Sequence, residues 1–217
     1  MRAGSRQRLV FDGWIAGLGT TSGIRIVIGH WPSSPFGPIS DVMLERRDGQ
    51  RLLLAPSAEV AEFIASTYVF DAIEVVPVTV AVGADRWRVE AGELVVEFTI
   101  GRRGWLGRLL RLVPAALTKR PWFVAAMDLP ARVLLPGVRT RGSAGNGRRE
   151  WYGARDLLTI RQLRGWFGEI DLGSLAPVTP PVRFGFGSVP SRPGLVRVTS
   201  TVEVPTASGG PGNGRSR

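Results

Sequence analysis

The sequence predicts a mainly β protein with a few helices: a curved antiparallel sheet or partly closed barrel carrying two short helices. Three observations predict it. About eight or nine short segments alternate apolar and polar residues at period two or are rich in β-branched side chains. An Asp-Gly pair, Asp48-Gly49, sits between two apolar runs, as a tight hairpin requires. Only two stretches switch to helical spacing, and no Gly-rich βα motif of a dinucleotide-binding domain is present, since GLGTTSG at 17–23 leads into no helical pattern.

Taken in order, GIRIVIGHW from Gly23 reads as a strand, closed by Pro32 and a turn-rich PSSPFGP connection. DVMLERRDGQRLLLAP reads as a hairpin. In its first strand Asp41, Met43 and Glu45 share one face and Val42 and Leu44 the other. Ser57 fits an N-cap, with Glu59 and Glu62 in the early turns and Val60, Phe63, Ile64 and Thr67 at helical spacing, so a helix is expected over 57–67. Beyond Asp71, IEVVPVTVAV, RWRVEA and ELVVEFTI predict a three-stranded meander, with Pro77 marking an edge or a bulge. The second helix is expected over 104–118, with Trp105, Leu109 and Leu112 on one side, Arg108 and Arg111 near the other, and Pro114 ending or kinking it. VRFGFGSV and LVRVTSTVEV read as closing strands. The resulting organisation is a flexible N-terminus at 1–7, one β-rich domain at 8–204 and a disordered Gly/Ser/Pro/Arg tail at 205–217.

Composition narrows the chemistry. The 217 residues include no cysteine and one histidine, which excludes a disulfide framework, a thiolate nucleophile, a Cys-rich zinc site and a multi-histidine metal centre. No metal and no cofactor is expected. The first twenty residues carry no long apolar core, and the apolar window 73–82 is too short to span a bilayer, so a cytoplasmic location is expected. The net charge of +10 is almost wholly arginine, because Lys119 is the single lysine.

The segment from Gly137 to Asp156 gathers Arg139, Arg141, Arg148, Arg149 and Arg155 with five glycines and, in its middle, Glu150, Trp151 and Tyr152. Arginine forks grip carboxylates and phosphates at two points, and glycines allow close backbone approach. Arg139, Arg141, Arg148, Arg149, Trp151 and Tyr152 are therefore the candidate ligand-binding residues, for a small anionic or polar molecule. The alternative is a solvated loop. His30, Asp41 and Glu150 are the candidate proton-transfer groups; Asp41 and Glu45 would stand roughly 13 Å apart along a strand, too far to act as a pair. The basic stretch from Arg102 to Arg120 offers a different class of partner, an anionic membrane or a nucleic acid, against a partly buried helix with snorkelling arginines, the reading the pattern favours. Oligomeric state is not legible.

PFGPISDVML, followed by the strand RLLLAP and the helix SAEVAEFIAS, resembles the acetoacetate decarboxylase superfamily and its uncharacterised relatives. The resemblance covers most of residues 8–204 and implies a cone-shaped or barrel-like β fold around a polar pocket, with Asp41 in the place of a pocket carboxylate that members usually supply as glutamate. It also implies lyase chemistry through a Schiff-base lysine beside a second cation, on the segment after the helix. Here that segment is TYVFDAIEV, without lysine, and Lys119 beside Arg120 lies well downstream. The fold is expected without the Schiff-base reaction.

Overall fold

A computed structural model describes residues 6–118, 120, 122, 124, 126, 141–143, 148–185 and 189–205. Strands β1 (Arg6–Thr20), β2 (Arg25–Ser33), β3 (Ile39–Glu45) and β4 (Arg51–Ala55) lead into helix α1 (Ala58–Ala65). Then come β5 (Ala72–Val75), β6 (Val78–Val82), β7 (Arg86–Ala91) and β8 (Leu94–Arg103), followed by α2 (Trp105–Arg111) and α3 (Ala115–Thr118). The remainder is β9 (Arg141–Ser143), the long β10 (Arg149–Phe167), the short β11 (Ile170–Asp171) and β12 (Leu175–Ala176), and β13 (Gly194–Pro205). All belong to one sheet, ordered β5-β4-β3-β2-β1-β13-β10-β8-β7-β6, with β9 and β11 on β10 and β12 on β1.

The hairpin forms as the Asp-Gly pair predicts. Gly49 adopts φ 91, Asp48 Oδ1 accepts from the Gln50 amide, and Val42 and Leu54 stand opposite each other in the ladder. Helix α1 starts where Ser57 accepts from the Val60 amide and buries Val60, Ala61 and Ile64. Strand β1 has no counterpart among the expected elements. Its alternation is broken by a bulge between Asp12 and Trp14 and diluted by glycines, so period two is hard to see in RQRLVFDGWIAGLGT.

The expected meander is corrected at its first member. IEVVPVTVAV is not one strand: β5 pairs parallel with β4 at one end of the sheet, and β6 pairs with β7 at the other. Val76 and Pro77 bridge the two ends. Proline has no N–H to give a ladder, and here it lies where the chain leaves one edge for the opposite one. The sheet therefore curls until its ends are neighbours. Its concave interior is one apolar core to which Ile26, Leu44 and Leu54 contribute from one end and Trp87, Val89 and Phe98 from the other. Each such side chain adds roughly 1.5–3 kcal/mol by leaving water.

The opposite face of β1–β4, β13 and the first part of β10 is covered by α1, by residues 177–185 and by Val189. Of the strand expected at VRFGFGSV, Val182 to Gly185 form no ladder, and residues 186–188 lie outside the described residues. An ion pair fixes the cover instead. Glu45, fully buried, forms an ion pair with Arg25 Nη2 at 3.1 Å and accepts from Arg183 Nε at 3.0 Å and from the Arg183 amide at 2.8 Å, while Arg25 Nη2 donates to the Arg46 carbonyl and Nη1 to the Pro180 carbonyl. The second expected helix divides at Pro114 into α2 and α3.

Candidate functional site

Between that cover and the sheet lies a cavity enclosing about 80 Å³. A dry engineered cavity of about 150 Å³ holds benzene, so this one suits a body of a few carbon atoms. Side-chain alternation decides what lines it. From β3 come Ile39, Asp41 and Met43; from β2 Val27, Gly29 and Trp31; from β13 Ser200 and Val202; from β10 Glu150 and Tyr152. Helix α1 and the residues after it add Phe63, Ile64 and Tyr68, and the cover adds Phe184 and Val189. The wall is mainly apolar, and its ionisable groups among the described residues are two carboxyls and two tyrosines.

Asp41 is buried, and its Oδ1 accepts from Trp31 Nε1 at 3.0 Å. Loss of water raises its pKa to about 7, and the Trp31 hydrogen bond offsets only part of that. The carboxyl thus exchanges its proton near neutrality, facing the cavity. Across the β2–β3 ladder stands Gly29, whose missing side chain leaves the space that the Asp41 carboxyl and the Trp31 indole occupy.

Glu150 is held in a separate hydroxyl cluster. Tyr68 Oη donates to its Oε2 at 2.8 Å, Ser200 Oγ donates to its Oε1 at 3.2 Å, and Tyr152 Oη is hydrogen-bonded to Tyr68 Oη. Burial pushes the Glu150 pKa up, while these hydroxyls and the Arg148 charge pull it back. Tyr68 is held well above its ordinary value, by burial first and then by the neighbouring Glu150, so it remains a donor.

The arginine segment behaves differently from a pocket wall. Arg148 Nη1 donates to the Phe63 carbonyl at 3.1 Å and to Thr67 Oγ1 at 2.9 Å, and its guanidinium lies 4.9 Å from the Phe63 ring centroid. It braces the end of α1 rather than lining the cavity. Arg149 is exposed, and Trp151 is half-buried on the side of β10 opposite Glu150 and Tyr152. Arg155 pairs with Asp12, and Asp156 receives a two-point bond from Arg103 at 2.7 and 2.8 Å. Backbone pairing places Arg141 opposite Trp151, while Arg139 and Lys119 lie outside the described residues. Of the six candidate ligand-binding residues, Tyr152 alone is in the described cavity wall.

His30 and Asp41 sit on opposite faces of the sheet. The His30 ring packs edge-on against Trp87 at 5.5 Å and pairs through Nδ1 with Ser40 Oγ at 2.9 Å, and burial and then Arg197 lower its pKa. Sequence reasoning missed Tyr68, Trp31, Gly29 and Ser200. The strand alternation around Asp41 held a signal for Gly29 and Trp31, once pairing set them beside it; nothing local marked Tyr68. Among the described residues no group of three or more acidic or histidine side chains gathers as a metal site, and no helix is long and apolar enough to cross a membrane.

No family model matches this chain, and no curated protein does. A search of solved structures finds a likeness to acetoacetate decarboxylase from Legionella pneumophila subsp. pneumophila str. Philadelphia 1, at 9% identity and a TM-score of 0.43, covering 90% of this chain and 84% of that one.

Proposed function

We propose that the cavity binds a small, mostly apolar molecule carrying one polar group, and that this group meets the Asp41 carboxyl. The observation that supports it is a buried carboxyl at the wall of an apolar cavity, held from one side by Trp31. Small-molecule sites have this composition: an apolar wall with a few placed polar groups. No cationic side chain stands among the described lining residues, so of the anionic or polar molecule expected from the sequence this reading takes the polar one. Below pH 7 the protonated Asp41 would donate to a carbonyl or ether oxygen; above it, the carboxylate would accept from an alcohol or an amine.

The same group supports a second reading, proton transfer to or from the bound molecule. A general acid or base works best when its pKa lies near the working pH, and Asp41 at about 7 satisfies that. Neither reading uses a Schiff base, since residues 67–75 contain no lysine.

Thermal shift against short-chain ketones, alcohols, amines and carboxylates of matched length, at pH 6 and pH 8, tests the binding proposal. Ketones should stabilise more at pH 6 and amines more at pH 8, and Asp41→Asn should abolish the pH crossover. Carboxylates raising the melting temperature more than the matched neutral compounds would overturn it, as would no shift with any compound.

A further inference from the structure

Residues 98–127 contain Arg102, Arg103, Arg108, Arg111, Lys119 and Arg120 and not one acidic residue. Within this window α2 lies on β10 through Gly107, where an added Cβ would come within 2.2 Å of the Leu157 carbonyl oxygen. The helix therefore approaches the sheet at Gly107. At 3.6 residues per turn, Trp105, Leu109 and Leu112 fall between about 140° and 200° from Gly107, the outermost sector. Their exposures agree: 65% for Trp105, 50% for Leu109 and 78% for Leu112, with Trp122 at 65% nearby in the chain. The sequence favoured a partly buried helix with snorkelling arginines. In the structure both Arg108 and Arg111 and the apolar stripe are exposed.

We propose that this face is a peripheral docking surface for an anionic lipid bilayer. Two features select that partner. Exposed tryptophan and leucine on a helix lying flat against a protein body suit the boundary between headgroups and acyl chains, where an indole sits with its ring buried and its N–H wet. Arg102, Arg108, Arg111 and Arg120 are exposed in the same stretch of chain and form no ion pair among the described residues, so their charge is available to anionic headgroups. Arg103 is committed to Asp156. Nucleic acid would use the arginines and leave Leu109 and Leu112 without a role, and a second copy of the same face would bring like charges together.

The test is flotation of the full chain with vesicles of phosphatidylcholine alone and of phosphatidylcholine with 30% phosphatidylglycerol. Binding to the anionic vesicles is expected, falling steeply as salt rises, with little to the neutral ones. Because each basic residue near such a surface is worth about 1 kcal/mol, Arg108→Gln with Arg111→Gln should weaken binding roughly thirty-fold. The variant Trp105→Ser, Leu109→Ser, Leu112→Ser should lose it while keeping the wild-type melting temperature, since these side chains are exposed. Equal binding to both vesicle types overturns the proposal. So does undiminished binding by the triple variant, or a patch-dependent dimer or DNA complex in place of vesicle binding.

Discussion

Gly29 and Asp41 face each other across the β2–β3 ladder, and a methyl group on Gly29 would come within 2.4 Å of Asp41 Oδ1 and 2.5 Å of Trp31 Nε1. The bare backbone at one position of β2 is thus what lets a carboxyl from β3 meet an indole two residues further along β2. Gly29→Ala should break the Trp31–Asp41 hydrogen bond and cost roughly 1–3 kcal/mol as an overpacked site. Urea unfolding measures the loss, and a change in Trp31 environment should appear in near-ultraviolet circular dichroism.

Asp41 makes the protein's stability depend on pH. In the unfolded chain it releases its proton near 3.8; in the folded state it keeps it up to about 7. Between those values the folded state binds more protons, so this group's contribution is full below pH 3.8 and is lost as pH rises to about 7. The amount is on the order of 4 kcal/mol. Asp41→Asn should unfold at a higher urea concentration than the wild type at pH 8 and show little advantage at pH 4. A variant no more stable at pH 8 than the parent would mean that the carboxyl is not desolvated.

Tyr68 supplies Glu150 with a donor inside the cavity. In Tyr68→Phe the carboxyl loses that donor and stays buried, at a cost of about 1–3 kcal/mol. Losing a donor to the charged form also raises the Glu150 pKa further, so the deficit should shrink as pH falls and the carboxyl is protonated. Chemical denaturation at pH 5 and pH 8 separates the two components; an identical deficit at both would count against an ionising Glu150.

The Arg25–Glu45 pair ties the cover to the sheet. Glu45→Gln leaves the buried Arg25 guanidinium without its counter-charge, and removing one partner of such a pair costs roughly 3–5 kcal/mol. Limited proteolysis should then cut first near Arg183, whose amide and Nε both lose the carboxylate that holds them. Retention of the wild-type melting temperature would show that the pair is incidental.

Local chemistry was legible, and long-range geometry was not. The Asp48-Gly49 turn, the Ser57 cap and the Asp41/Val42 alternation each depend on neighbours a few residues away, and each appears in the structure. The mainly β class followed from them. The two fates of IEVVPVTVAV could not be read, because whether Pro77 bulges one strand or separates two depends on sheet closure. The direction faced by Arg149 and Trp151 depends on how β10 pairs with β13, and the pairing of Glu150 with Tyr68 joins segments distant in the chain. Hydrophobic periodicity in α2 gave a correct stripe, but a stripe does not say which side is water.

The middle of the sheet is made by the first strand and the last. β1 lies between β2 and β13, and bonds such as that from Arg8 to Glu203 span 195 residues. A chain leaving the ribosome can form the 39–55 hairpin and the β6–β8 meander early, but β1 waits for β13 before its second edge is paired. Closing so large a loop is slow, and until it happens β1 presents an unpaired ladder. Late synthesis is therefore the interval in which this protein most needs protection from self-association, and truncation before β13 should yield insoluble protein rather than a smaller folded one.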